Sequence, residues 1–397
     1  MLSSYRWVIL AVCTLGFMQT HIHRVGFAPL IPTFIADLGL TYAAAGTLMT
    51  AYFWTYTAVQ MPIGLLVDRW GPRRVMLLFM SLLVAGTALF PLSQSYAQSL
   101  WSRALVGLGA AAVWVPSLRL ISEWFGAEER GRVIGIVSAG GGVGGTLALL
   151  LIPLAAERWG WRWGYASTLP AVLLTLLLLA LFVRGGEGGR SAAAGGGVAA
   201  LRRVLGTPVI WWFNASVLLS YGAYFSMVTW IPTFLVNTLQ VSTPQAGFVT
   251  SLLTAGTIVS WPLAGVLTDR LRKRKEVFLF SQFMSVVDPA AFALMVPMLS
   301  LGAAAWVALA ACILLGGMIV PFVMVMELFP LELAGTASGV VNTFCFVGSL
   351  TIPVILGRVL DVTGSFPAAF LTAAAVQALA FVTACFTRET GRPARPA

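Results

Sequence analysis

Six side chains able to carry a charge or a proton fall inside long apolar runs: His21, His23, Arg24, Arg103, Arg119 and Asp288. A charge in hydrocarbon is costly unless it faces protein or water, so such residues are candidates for function before any other. Arg24 and Arg103 hold the most chemistry. A guanidinium presents its N–H donors as a rigid fork that matches a carboxylate, and two such groups at one depth would repel each other until a shared anion bridged them. The expected ligand is an anion, with Arg24 as its anchor and Arg103 as partner. His23, beside Arg24, is a candidate proton carrier, because imidazole titrates near neutral pH and a neighbouring cation lowers its proton affinity until an anion arrives. His21 with Met18, three apart, would suit a soft metal ion, and Met324 and Met326 could complete such a site. His21 and His23 themselves point roughly 200° apart on a helix and cannot readily share one ion. Asp288, followed by Pro289, reads as a protonated or internally hydrogen-bonded packing residue. Arg119, with Glu123 one turn further on, reads as one half of a local ion pair near the end of its span.

The elements that must position these groups are membrane-spanning helices. Of the 397 residues 59% are apolar and 10% charged, and the mean hydropathy is +0.90. Soluble proteins are about a quarter charged. Apolar runs separated by polar breaks predict twelve spans near 7–30, 43–66, 75–92, 100–123, 133–155, 164–183, 208–230, 245–267, 277–299, 303–326, 336–357 and 366–386. The first run lacks a small-residue cleavage pattern and reads as a span rather than a signal peptide. With a cytoplasmic N-terminus, the outer loops carry only Arg158, Arg162 and Arg358, while the inner segments carry 18 of the 24 Lys and Arg. This bias follows the positive-inside rule and sets both termini in the cytoplasm of a multi-pass cell-membrane protein. The net charge of +10 then faces anionic lipid, and nothing else supports nucleic-acid binding. At 1.5 Å per residue Arg24 lies about 25 Å up the first span, and Arg103 opens the descending fourth, so the two share the outer half of the membrane.

The expected organisation is a six-helix bundle over 1–183, a cytoplasmic linker over 184–207 containing GGEGG and SAAAGGG, and a second six-helix bundle over 208–397 with a short tail. The halves echo each other. Ile31-Pro32-Thr33-Phe34 recurs as Ile231-Pro232-Thr233-Phe234, and Gly64-x-x-x-Asp68-Arg69 recurs as Gly265-x-x-x-Asp269-Arg270. Duplicated bundles of this kind mark carriers whose lobes rock around a midplane site. Cys13, Cys312, Cys345 and Cys385 lack metal or disulfide spacing and read as packing residues. No paired acids, phosphate loop or nucleophile arrangement appears, which argues against an enzyme and against a cofactor.

The loop Gly64-x-x-x-Asp68-Arg69-x-Gly71-x-Arg73-Arg74 is similar to the conserved loop of the major facilitator superfamily, which the chain resembles over essentially its whole length. Arg24-Val25, Tyr52-Phe53-Trp54-x-Tyr56-x-x-x-Gln60 and Trp124-Phe125-x-x-x-Glu129-Arg130-Gly131 resemble the anion:cation symporter branch, which carries sugar acids, other carboxylates and phosphate-type anions. The resemblance implies an all-α fold of two pseudo-symmetric six-helix bundles and a cytoplasmic gate. That gate would use Gly64, Asp68, Arg69, Gly71 and Arg73, with Arg119 and Glu123, and the degenerate copy at Asp269 and Arg270. In it Gly64 would permit close helix approach, and Arg69 and Arg73 would pair with Glu123. The arginines matching Arg24 and Arg103 belong to the branch's substrate and coupling region. Proton-coupled members carry acids where this chain has His23 and Ala110. Coupling through His23, uniport or exchange, and coupling to another ion therefore all stay open.

By analogy the cavity is lined by the first, second, fourth, fifth, seventh, eighth, tenth and eleventh spans. Tyr52, Tyr56 and Gln60, four apart, would form one polar stripe. Tyr221, Tyr224 and Asn342 would face it from the second bundle. The resulting expectation is a carrier of a small organic anion, working as a monomer by alternating access. Its rivals are a metal or cation carrier using Met18 and His21, and a non-transporting sensor on the same fold.

Overall fold

A computed structural model describes residues 2–184, 198–295, 298 and 300–391, and every regular element among them is helical. The chain divides into two compact units, Met1–Ser191 with Val241–Ser251, and Ala192–Gln240 with Leu252–Ala397. In the first unit α1 (Leu2–Val25) passes through a 3-10 turn (Ala28–Leu30) into α2 (Ile31–Leu38). There follow α3 (Tyr42–Ala58), α4 (Gln60–Trp70), α5 (Pro72–Leu89), α6 (Tyr96–Ala111), α7 (Trp114–Trp124), α8 (Ala127–Ala166) and α9 (Leu169–Phe182). The second half holds α10 (Val198–Leu205), α11 (Pro208–Leu239), α12 (Thr243–Leu271), α13 (Arg274–Leu294), α14 (Leu301–Leu314), α15 (Val320–Leu328), α16 (Leu331–Thr363) and α17 (Phe366–Cys385). The residues of α12 up to Ser251 group with the first unit.

Several helices start where a hydroxyl caps them. Thr41 accepts from the Ala44 amide ahead of α3, Ser95 from Gln98 ahead of α6, and Ser365 from Ala368 ahead of α17. Proline sets the breaks. Lacking an N–H, it leaves the carbonyl four residues earlier without a donor. Pro32, Pro62, Pro116 and Pro321 place that carbonyl at Ala28, Ala58, Ala112 and Gly317. The first lies in the 3-10 turn, the next two are at the ends of α3 and α6, and the last is in a 3-10 stretch over Leu315–Ile319. The second, fourth and tenth expected spans are thus each two helical pieces. By length and apolarity nine described helices suffice to cross a membrane, or ten when the bent pair Ala199–Leu205 and Pro208–Leu239 counts as one span. The gap from twelve has two sources: one 51-residue stretch, Arg132–Phe182, contains both the fifth and sixth expected spans, and the second is split at Val59. Within the linker expected over 184–207, Val198–Leu205 is helical, and the glycine-rich portion lies outside the described residues.

Within the first unit α1 lies along α8, and α6 lies between α3 and α5. The glycine-rich face of α8 makes the first of these approaches feasible: a Cβ at Gly141 would come within 2.8 Å of the His21 ring, and one at Gly144 within 2.8 Å of Met18 Cγ. In the second unit α11 packs on α16 and α17, and α13 on α17.

Candidate functional site

Arg24 occupies the last turn of α1 and is 9% exposed. Its guanidinium carbon lies 5.3 Å from the Tyr56 ring centroid and 5.9 Å from those of Tyr52 and Phe53, all on α3. Aromatic faces attract a cation and shield it from lipid. Arg24 Nη1 lies 3.4 Å from His21 Nε2. Guanidinium only donates, so that nitrogen accepts, and Nδ1 of the same ring carries the hydrogen it directs to the Phe17 carbonyl at 3.2 Å. This arrangement weakens the Met18–His21 metal reading, because Arg24 engages the lone pair a metal would need.

Arg103 is fully enclosed. It donates to the carbonyls of His23 (2.9 Å), Leu48 (3.4 Å) and Met49 (3.4 Å), and to the Tyr165 hydroxyl (3.3 Å), with the Phe27 and Tyr52 rings at 5.3 and 5.8 Å. Arg24 and Arg103, expected to share one ligand, both adjoin Tyr52, and Arg103 directs its donors to backbone and Tyr165. Carbonyl dipoles rather than a carboxylate stabilise it. His23 is 1% exposed; its Nδ1 lies 2.8 Å from the Gln19 carbonyl and its Nε2 3.3 Å from the Thr168 hydroxyl.

Tyr52 and Tyr56 stack at 5.6 Å, and the Tyr52 hydroxyl donates to the Thr20 carbonyl at 3.1 Å. Gln60 departs from the expected stripe because the chain breaks at Val59 and Gln60 begins α4; its Nε2 is buried without a hydrogen-bond partner. In the second unit Tyr221 is 8% exposed and meets Phe322 edge-on, Asn342 is half-buried on α16, and Tyr224 lines a small cavity beside Asp288.

The gate residues separate into two local arrangements. Asp68 and Arg69 are exposed, and a Cβ on Gly64 would meet no described atom within 4 Å, so the close helix approach expected there is absent from this conformation. Gly71 (φ 80°, ψ 153°) opens α5 in a region essentially reserved for glycine. Arg73 donates to the Ala180 carbonyl of α9 at 2.8 Å rather than following its expected course to Glu123, which is bridged by Arg119 at 3.1 Å. In the second unit Asp269 pairs with Arg274 at 2.6 Å, and Arg274 also pairs with Glu327 at 2.7 Å; Arg270 is exposed. Glu389 accepts from the Arg274 and Lys275 amides at 3.0 and 3.1 Å. Arg274 stands in the repeated loop where Arg73 stands in the first copy, and Glu327-Leu328-Phe329 echoes Glu123-Trp124-Phe125. That register was available in the sequence and identifies the Arg274 hub. Thr168 and Tyr165, which complete the surroundings of His23 and Arg103, carry no such signal.

Two units of packed apolar helices, nine or ten of them, among the described residues, long and apolar enough to cross a membrane, with ionisable groups held inside, describe a multi-pass membrane protein. The chain belongs to the Major Facilitator Superfamily, whose model matches residues 8–353 and 234–397. Over 94% of its length the chain is 24% identical to the probable sulfoacetate transporter SauU of Cupriavidus necator, covering 91% of that protein. Over 95% it is 25% identical to the probable galactarate/D-glucarate transporter GudP of Bacillus subtilis, again covering 91%. These relatives agree with the symporter-branch resemblance. The fold is similar to that of a bacterial homolog of the human lysosomal transporter Spinster, solved inward-facing and occupied, with a TM-score of 0.83, 18% identity and 96% of each chain covered.

Proposed function

We propose that this protein carries a small organic anion, a carboxylate, sugar acid or sulfonate, across the cell membrane by alternating access, with both termini cytoplasmic. Arg24 is the principal anchor. The observation that carries the reading is a permanent cation within a membrane span, cradled by Tyr52, Phe53 and Tyr56, in a chain whose full-length relatives are named for sulfoacetate and glucarate. Arg103 acts as a positioning group that ties α6 to α1 and α3 behind the anchor. Tyr52 and Tyr56 supply the aromatic wall. The gate is formed by the Asp68-Arg69 loop, Arg73, Arg119 and Glu123, with the second copy built on Asp269 and Arg274.

Proton coupling would run through His23. The Thr168 hydroxyl has one hydrogen and lies 2.8 Å from the Tyr165 carbonyl. That hydrogen can go to the Tyr165 carbonyl or to a neutral His23 Nε2, so protonation of Nε2 would reverse the 3.3 Å bond to Thr168 without breaking it.

The test is uptake of radiolabelled glucarate, sulfoacetate and short carboxylates into proteoliposomes, with and without an imposed pH gradient. Arg24→Ala abolishes uptake of the transported anion. Arg24→Lys keeps the charge but not the fork, and losing one charge-assisted hydrogen bond worth about 1.5–3 kcal/mol weakens transport roughly 10- to 100-fold. His23→Gln removes gradient-driven accumulation and leaves counterflow. Binding without flux for every anion would favour the sensor reading, and uptake that survives Arg24→Ala would sink the anchor.

A further inference from the structure

The second unit holds a carboxylate that the anion site does not use. Asp288 lies inside α13, is 7% exposed, and has a buried Oδ1 with no hydrogen-bond partner. It lines a small cavity with Ser220, Tyr224, Ser285 and Gln377, with room for about one water-sized guest. The amides beside this cavity are matched. Gln282 Nε2 donates to Ser216 Oγ at 2.9 Å and Ser220 Oγ at 2.6 Å, and its Oε1 accepts from Gln377 Nε2 at 2.7 Å. A buried carboxylate oxygen left unmatched at the wall of a cavity, beside amides that are matched, marks a place for a guest.

The surrounding atoms fix the guest's chemistry, because they offer oxygens. Ser220 directs its hydrogen to the Ser216 carbonyl at 2.7 Å and takes one hydrogen from Gln282, which leaves an oxygen lone pair. The Gln377 amide is held through its nitrogen, so its Oε1 stays available as a ligand. Pro289 has no N–H to give to the Ser285 carbonyl four residues earlier, so that oxygen too is released from the helical ladder. One carboxylate, a released helix carbonyl, a hydroxyl and an amide oxygen form the donor set of a hard cation, and carriers place coupling ions at such interrupted helices. A single negative charge matches a monovalent ion; a divalent one would leave positive charge in the membrane interior.

We propose that the Asp288 cavity is a sodium-binding site within the second unit. The site does not depend on the identity of the anion. Its use as a coupling site rests on the carrier reading above.

The test measures equilibrium binding of radioactive sodium to the purified full-length protein in detergent, with choline holding ionic strength constant. The wild type binds one sodium per chain saturably. Asp288→Asn, nearly the same shape, binds at least about tenfold more weakly while eluting as a folded monodisperse peak, the fold-change expected for about 1.4 kcal/mol. Pro289→Ala, which returns an N–H to the Ser285 carbonyl and keeps the carboxylate, also weakens binding. Arg24→Ala binds sodium as the wild type does, so loss of anion uptake and loss of this site are read separately. Unchanged binding in Asp288→Asn overturns the proposal. So does a wild type with no saturable sodium binding, including one in which Asp288 exchanges only protons.

Discussion

Arg24 and Arg103 illustrate how far residue type reaches. Both are identifiable from sequence as charges in apolar runs, and both adjoin Tyr52. Their surroundings differ, because α1, α3 and α8 deliver backbone carbonyls and the Tyr165 hydroxyl to Arg103 and aromatic faces to Arg24. Which carbonyls point inward depends on helix rotation and on breaks such as that after Val25, and neither is written in residue identity. The two arginines should therefore fail differently. Arg103→Ala removes the bonds that tie α6 to the His23, Leu48 and Met49 carbonyls and to Tyr165 and leaves a buried cavity, and is expected to cost about 3 kcal/mol or more of stability, seen as a lower melting temperature in detergent with or without ligand. Arg24→Ala should melt close to the wild type and lose anion-dependent stabilisation. If Arg103→Ala melts like the wild type and loses only ligand response, Arg103 contacts the anion directly and the assignment of roles reverses.

At the scale of elements, the location of the helical stretches was legible, since apolar runs act locally; the breaks that split the second, fourth and tenth expected spans were not expected, although the prolines that set them stand in the sequence. Approach distances were not legible. The sequence singles out Gly64 for close packing, yet its surroundings are open, whereas Gly107, which no motif marks, lies against the Tyr52 backbone. A Cβ at Gly107 would come within 2.7 Å of Tyr52 Cα. Here α3 and α6 touch main chain to main chain, helped by the Thr55 hydroxyl donating to the Ala104 carbonyl at 2.5 Å. Gly107→Ala must push the helices apart at an overpacking cost of about 1–3 kcal/mol. It also carries Tyr52 away from both arginines, so uptake and melting temperature fall together. Gly64→Ala meets no atom and should leave the melting temperature unchanged; any loss of uptake it causes then arises in a conformation other than this one. Gly71→Ala belongs with Gly107→Ala for a different reason, since its φ of 80° costs a residue with a Cβ about 1–3 kcal/mol. Equal melting temperatures for all three variants would refute these assignments.

For the whole molecule, the charge bias makes a statement about orientation that a set of helices in isolation does not. The duplicated loops, the family match and the helical breaks are unchanged when the protein is turned over in the bilayer; the distribution of arginine and lysine is not. A chemical handle exists for deciding it. Among the four cysteines, Cys13, Cys312 and Cys345 are buried, and Cys385, in the last turn of α17, is exposed. Lys275 donates its ammonium to the Cys385 carbonyl at 2.6 Å, which puts that turn level with a charged amine, at the membrane boundary rather than in its hydrocarbon. With the C-terminus cytoplasmic, a membrane-impermeant maleimide should leave Cys385 unlabelled in intact cells and label it in inverted vesicles. Cys385→Ser should remove the signal, because the remaining thiols are sealed in helix interfaces. Labelling of intact cells that disappears in Cys385→Ser would place the tail outside. The inner segments bearing 18 of the 24 basic residues would then face outward, against the rule that assigned them, and the loop around Asp68 would lie on the side opposite to a cytoplasmic gate.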